Sequence, residues 1–378
     1  MTGVSGFQPF VLERFLSKFE NTVAYNLSES GAHPLSLREL LGDDKEVAEL
    51  LDVEFSYPQT NGIPKLRENI AALYAGATPD HVLVTVGAAE ANFISVQTFV
   101  GPGDEAVVML PNYMQIWGVA RNLGAQVKAF HLREENNWAP DLDELRAVVT
   151  EKTKLIAVCN PNNPTGRILT EAEMDAVVAA ADRGGAWLLA DEVYGGAERL
   201  SDRQTPSFWG RYDKVLAVNS LSKAYALPGL RIGWVVAPPA IVDELWARHD
   251  YTTIDATTLG NLLAAKALSP EIRPRIIQRV REYVRRGYPV LEEWLNDHPG
   301  IFSIVPPQAA AIAFVRYHLD IHSTDLVERL IREKSVFIIP GDAFGLDRFV
   351  RISFGVPQEV LKPALGRIHE MILELQRK

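Results

Sequence analysis

With 378 residues, 47% of them hydrophobic and 23% charged, the chain has the make-up of a folded globular protein rather than a disordered or fibrous one. Its net charge of −10 and its scattered lysines and arginines argue against a nucleic-acid partner, which needs a concentrated basic face. A single cysteine, Cys159 in the apolar run LIAVC, excludes an internal disulfide and a thiolate zinc cluster, and the absence of a basic-then-apolar leader or a long apolar span points to the cytoplasm and away from the membrane.

From about residue 43 to 270 short apolar runs alternate with amphipathic stretches. HVLVTV (81–86), EAVVML (105–110), QVKAFHL (126–132), KLIAVC (154–159), AWLLAD (186–191), KVLAVN (214–219) and IGWVVA (232–237) read as seven strands, mostly apolar on both faces. DLDELRAVV and EAEMDAVVAAADRGG between them read as helices. The pattern predicts a three-layer α/β/α domain around a mostly parallel seven-stranded sheet. After residue 270 the chain changes character. RPRIIQRVREYVRR predicts a helix with a solvated arginine face, AIAFVRY (311–317), SVFIIPG and FVRISFG read as strands, and a helix is expected around residues 324–333. The division is thus a 43–270 large domain, a 271–378 small α/β domain and a 1–42 segment that joins the small one.

In open α/β sheets ligands gather at the carboxyl ends of strands, and four segments there carry chemistry. Gly87, Ala88 and Ala89 follow the first strand and open a helix, where small residues expose backbone N–H groups to an anion. NPNNPTG (160–166) forces a tight turn and offers the Asn163 amide. In LLADEVYGG (188–196), Asp191 ends an apolar strand and needs a cation or donor such as a pyridinium N–H, with Tyr194 three residues on as a partner for a ring oxygen. In NSLSKAYALPGLRIGW (219–234), Lys223 has the partly desolvated setting of a Schiff-base lysine, while Ser220, Ser222 and Arg231 suit a phosphate.

NPNNPTG, ADEVY and SLSKAYALPGLRIGW resemble the signatures of the class I/II aminotransferases, which are fold type I enzymes of pyridoxal 5'-phosphate. The resemblance implies that Lys223 forms the Schiff base and shuttles protons. It further implies that Asp191 pairs with the pyridinium, that Asn163 and Tyr194 meet the phenolate oxygen, and that Ser220, Ser222, Arg231 and the Gly87–Ala89 amides hold the phosphate. Tyr113, in PNYMQIW, is similar to the residue stacked on the cofactor ring. Tyr57, in SYPQTNGIPKL, is similar to the tyrosine that reaches the neighbouring subunit's phosphate in a homodimer. Arg351, in FVRISFG, resembles the arginine that grips the substrate α-carboxylate, and Gly31 presents its backbone to the substrate.

The implied activity is transfer of an amino group from an L-amino acid to a 2-oxo acid. NLSESGAHPLSL departs from the family's usual glycine-acid-proline pattern, and together with HDYTTI (249–254) it resembles a branch that includes capreomycidine synthase. A lyase, replacement or cyclising reaction on an amino acid is therefore the alternative. No GxGxxG, P-loop, GxSxG or HExxH motif occurs, the eight histidines are dispersed, and no metal is expected.

Overall fold

The computed structural model describes residues 6–376. Its main sheet has eight strands in the order Val82–Thr85, Gly233–Val236, Val215–Ser220, Trp187–Asp191, Thr153–Cys159, Glu105–Leu110, Gln126–Arg133 and Ala139–Pro140. The seven expected strands are all present. The eighth, Ala139–Pro140, is a two-residue antiparallel addition at the edge, too short to leave a periodic signal in the sequence.

Pairing is parallel from Gln126–Arg133 through to Val215–Ser220, whereas Gly233–Val236 runs antiparallel to both its neighbours. Two reversals place Val82–Thr85 in the same direction as Val215–Ser220, so its carboxyl end joins the others along one edge. Alternate residues of each strand feed two separate cores. Val84, Met109, Val158, Ala190 and Ala217 face one side, and Leu83, Val108, Ala157, Leu189 and Val218 face the other. The helices Gly87–Phe99 and Pro239–His249 cover the second side and Glu171–Gly184 the first, through buried Ile94, Leu245 and Val177 respectively. Burial on both sides is the physical reason the central runs are apolar throughout, whereas Gln126–Arg133, next to the edge, has only Phe130 and Leu132 buried and carries Gln126, Lys128, His131 and Arg133.

A second, antiparallel sheet orders Phe302–Ile304, Ile312–Tyr317, Phe349–Ser353 and Ile339–Pro340. SVFIIPG is not one strand. Val336–Phe337 pairs in parallel with Tyr25–Asn26 from the amino-terminal segment, and Ile339–Pro340 pairs with Phe349–Ser353. The arginine-rich stretch lies in the helix Arg273–Asn296, with Ile276, Ile277, Val280 and Val284 buried. Its arginine face is only partly solvated. Arg281 is 11% exposed and ion-paired with buried Glu198, Arg279 donates to the carbonyl of His33, and Arg285 to those of Arg199 and Ser201. Helical spacing cannot tell a face in water from one packed on a distant loop. Among the described residues no helix is long and apolar enough to cross a membrane.

Candidate active site

A cavity of about 430 Å³ opens where the parallel strands end, a volume ordinary for a small-molecule site. The order of strands reverses between Glu105–Leu110 and Thr153–Cys159, and the loops that follow these two strands meet there: Asn162 Nδ2 donates to the carbonyl of Pro111 at 3.1 Å. In the turn that follows Cys159, the Asn162 carbonyl accepts from Gly166 N at 2.8 Å and its Oδ1 accepts from Thr165 Oγ1 at 2.7 Å. Gly166 has a φ of 68°, and a Cβ there would collide with Pro307 and the carbonyl of Ala309. That turn presents Asn163 to the cavity.

Lys223, just past Val215–Ser220, has its Nζ 3.8 Å from Glu29 and a side chain 26% exposed. Gly31 lies against it, so close that a Cβ would stand 3.2 Å from the Ser222 carbonyl and 3.8 Å from Lys223 Cδ. Asp191 ends its strand buried. Its Oδ2 accepts from Asn92 Nδ2 at 3.1 Å and its Oδ1 from Val193 N at 3.3 Å, and among the described residues no cation lies within ion-pair distance. Burial raises the Asp191 carboxyl above its ordinary value, while the Asn92 and Val193 hydrogen bonds and the Lys223 charge pull the other way. A buried carboxylate so placed is a ready acceptor for a positively charged N–H.

Tyr194, also buried, donates from its hydroxyl to Ser30 Oγ at 2.9 Å, and burial pushes its phenol upward against the Arg351 charge. Arg351, 3% exposed, donates from Nη1 to Asn163 Oδ1 at 2.9 Å and from Nη2 to the Ser28 carbonyl, while its Nε has no partner among the described residues. With Asn163 Oδ1 so engaged, the amide nitrogen is the end available to an acceptor in the cavity.

Arg231, in the left-handed region at φ 54°, donates from Nη1 to the Pro228 carbonyl at 3.1 Å and to Ser222 Oγ at 3.4 Å. Its guanidinium lies over Gly87, where a Cβ would come within 2.5 Å of Nη2. Ser220 Oγ accepts from Ser222 N at 3.2 Å. Gly87, Ala88 and Ala89 form the first turn of the helix Gly87–Phe99, and Ala88 and Ala89 reach the cavity wall. Tyr113 lines the cavity too, with its hydroxyl 2.6 Å from Glu13 and its ring edge-on to Phe10 at 4.9 Å.

Of the residues expected from the sequence, all but three line one cavity; Gly31 and Gly87 sit just behind its wall, against Lys223 and Arg231, and only Tyr57 lies apart. Tyr57 is 86% exposed and borders a separate outer hollow with Phe55, Pro58 and Thr257. Sequence reading missed Asn92, the partner of Asp191, whose only signal is a polar residue inside the apolar stretch GAAEANFISV. It also missed Glu13, Glu20 and Glu29, which line the cavity from the amino-terminal segment. Burial and the charges of Glu29 and Glu13 raise the Glu20 carboxyl.

The cavity meets three requirements of pyridoxal 5'-phosphate: an unpaired buried carboxylate for a ring N–H, a lysine amine for an aldehyde, and an arginine over a helix start for a phosphate. Comparison with known proteins agrees. Residues 37–368 match the model of the family described as aminotransferase class I and II. The chain is 33% identical to capreomycidine synthase of Streptomyces vinaceus over 98% of this chain and 96% of that protein. It is 30% identical to an arginine–pyruvate transaminase of Pseudomonas aeruginosa, over 84% of this chain and 83% of the other. A crystal structure of a PLP-dependent aminotransferase from Streptococcus suis superposes with a TM-score of 0.91, at 33% identity and covering 98% of both chains.

Proposed function

Because this chain belongs to the class I and II aminotransferase family and its cofactor is pyridoxal 5'-phosphate, we propose that it transfers the amino group of an L-amino acid with a cationic side chain to a 2-oxo acid. The observation that carries this reading is the convergence of Lys223, cation-free Asp191 and Arg351, with its unpartnered Nε, on one cavity. When bound, the cofactor supplies an electron sink that acidifies the α-hydrogen of an attached amino acid.

Lys223 Nζ would hold the cofactor aldehyde, and its amine, once freed by the incoming substrate, would take the proton from the substrate α-carbon and serve as the acid that gives it back. Asp191 keeps the ring nitrogen protonated, and Asn92 holds the Asp191 carboxylate in place. Asn163 Nδ2 and the Tyr194 hydroxyl serve the ring oxygen. Arg231, Ser220, Ser222 and the Gly87–Ala89 amides would hold the phosphate, and the Tyr113 ring would face the cofactor ring from the cavity wall. Arg351 binds the α-carboxylate through Nε and Nη2, beside the Gly31 backbone. In a homodimer, Tyr57 reaches the other subunit's phosphate.

Charge bookkeeping supports the substrate class. Among the described residues the cavity's cations are Lys223, Arg231 and Arg351, each already assigned to cofactor or α-carboxylate, which leaves Glu13, Glu20 and Glu29 to face the side chain. Three carboxylates on one wall repel one another unless a cation joins them. The arginine substrate named for the Pseudomonas relative has this chemistry.

A second reading has its own support in the near full-length similarity to capreomycidine synthase. There Lys223 removes the same proton, and a group further along the side chain then leaves or closes a ring in place of reprotonation.

Purified enzyme mixed with L-arginine and pyruvate is expected to yield alanine and a 2-oxo acid, with L-citrulline, the neutral near-isostere, turned over at least tenfold more slowly through loss of the charged contact. Equal turnover of citrulline would overturn the cationic class, and a cyclic or eliminated product without alanine would favour the second reading. Borohydride should fix the cofactor to the peptide bearing Lys223 and fail to do so in Lys223→Ala. An adduct at that peptide in the variant would overturn the lysine assignment.

A further inference from the structure

Neither cofactor nor substrate accounts for the buried pair Glu90 and His249. Glu90 is the fourth residue of the helix Gly87–Phe99 and is 8% exposed. Its Oε2 accepts from the Val86 N–H at 2.7 Å, and its Oε1 accepts from His249 Nδ1 at 2.9 Å, from Thr253 Oγ1 at 2.7 Å and from Thr252 Oγ1. His249 closes the helix Pro239–His249 with no exposed surface, and its Nε2 lies 3.0 Å from the Thr60 carbonyl. A carbonyl and a carboxylate both only accept, so both ring nitrogens donate and the imidazole is an imidazolium facing a carboxylate. Burial disfavours both charges. The hydrogen bonds from His249, Thr252, Val86 and Thr253 nonetheless hold the Glu90 carboxyl below its usual range, and Glu90 raises His249 in return.

Stability alone is a weak reason to bury such a pair, since apolar residues of the same volume often do as well. Its position suggests a better one. By taking the Val86 N–H, Glu90 sets the backbone just before the turn whose Gly87, Ala88 and Ala89 amides have no partner within the helix. A bare carboxylate there would repel an anion, and the imidazolium cancels that charge. The same imidazolium holds the Thr60 carbonyl, three residues beyond Tyr57, and Trp246 of its helix donates to Thr60 Oγ1 at 2.9 Å. One side chain thus ties the turn at 86–89 to the loop that carries Tyr57.

We propose that His249 and Glu90 are positioning residues for the cofactor phosphate: a charge-balanced clamp that shapes the Gly87–Ala89 anion cradle and joins it to the Tyr57 loop. The inference rests on reading that turn as the phosphate cradle.

The test compares the affinity of the cofactor-stripped full chain for pyridoxal 5'-phosphate, for pyridoxal and for inorganic phosphate as a competitor. Wild type should prefer the phosphorylated form strongly. His249→Gln and Glu90→Gln are expected to lose roughly tenfold or more in affinity for pyridoxal 5'-phosphate and to bind inorganic phosphate correspondingly less well, with pyridoxal affinity changed by less than about twofold. Thr253→Val, which removes one hydrogen bond and leaves both charges, should lose about two- to fivefold and serves if the stronger variants do not fold. Unchanged preference in the variants, or equal loss for pyridoxal and its phosphate, would overturn the clamp while leaving the cradle intact. A wild type that binds both forms alike would overturn the cradle reading and the clamp with it.

Discussion

Glu192 stands beside Asp191 at the end of a central strand, and burial raises both carboxyls. Burial pushes Glu192 up to about 7, with the Phe208 N–H and Ser207 hydroxyl pulling it down and the Asp191 charge adding to the rise. A carboxyl that is higher in the folded state than its ordinary 4.5 holds its proton more tightly when folded. Its ionisation therefore costs stability progressively as pH climbs from about 4.5 to 7, and the whole penalty is present above that range. Both hydrogen bonds go to Oε1, which Glu192→Gln retains. The variant is expected to be more stable than wild type by about 1–3 kcal/mol at pH 8, with the advantage vanishing below about pH 5, as thermal melts across that range would register. An advantage independent of pH would point to packing instead.

At the scale of elements, the cradle is built where a helix start, a strand and a loop crowd together. Gly233, in the strand antiparallel to Val82–Thr85, leaves no room for a side chain: a Cβ would lie 2.4 Å from Ala88 N and from the Gly87 carbonyl carbon. Those are backbone atoms and cannot rotate away. Gly233→Ala is expected to destabilise the protein by about 1–3 kcal/mol through overpacking and to weaken cofactor binding more than tenfold, read by denaturant melts and cofactor titration. Gly87 itself, at φ 74° beneath the Arg231 guanidinium, is constrained twice over. The strand and helix assignments around these glycines were legible in the sequence because periodicity is local. The arginine face of Arg273–Asn296 was not, since the groups that bind it, Glu198, Arg199 and His33, lie some 80 to 250 residues earlier in the chain.

For the whole molecule, Leu51, Phe55, Tyr57 and Tyr251 are each at least 80% exposed, an unusual amount of large apolar surface to leave in water. The proposed homodimer would cover surface of this kind. Sedimentation should give twice the 41.9 kDa chain mass. Tyr57→Phe should leave that dimer intact and reduce cofactor affinity about tenfold to a hundredfold, the range for one hydrogen bond to a charged group. A monomer in sedimentation, or unchanged affinity in the variant, would remove Tyr57 from the site.

What the sequence determined by itself was the seven longer strands of the main sheet, the polar residues at their ends and, through the family resemblance, the cofactor. These follow from runs of adjacent residues: an apolar strand ending in Asp191, a lysine between small hydroxyl residues, a turn packed with Asn and Pro. Only the tertiary structure decided what surrounds them. Glu13, Glu20 and Glu29 look like ordinary surface acids until the amino-terminal segment folds across the cavity, and Asn92 and Asp191 meet across 99 residues, Glu90 and His249 across 159. Charge and hydrogen bonding act through space, and a sequence records only distance along the chain.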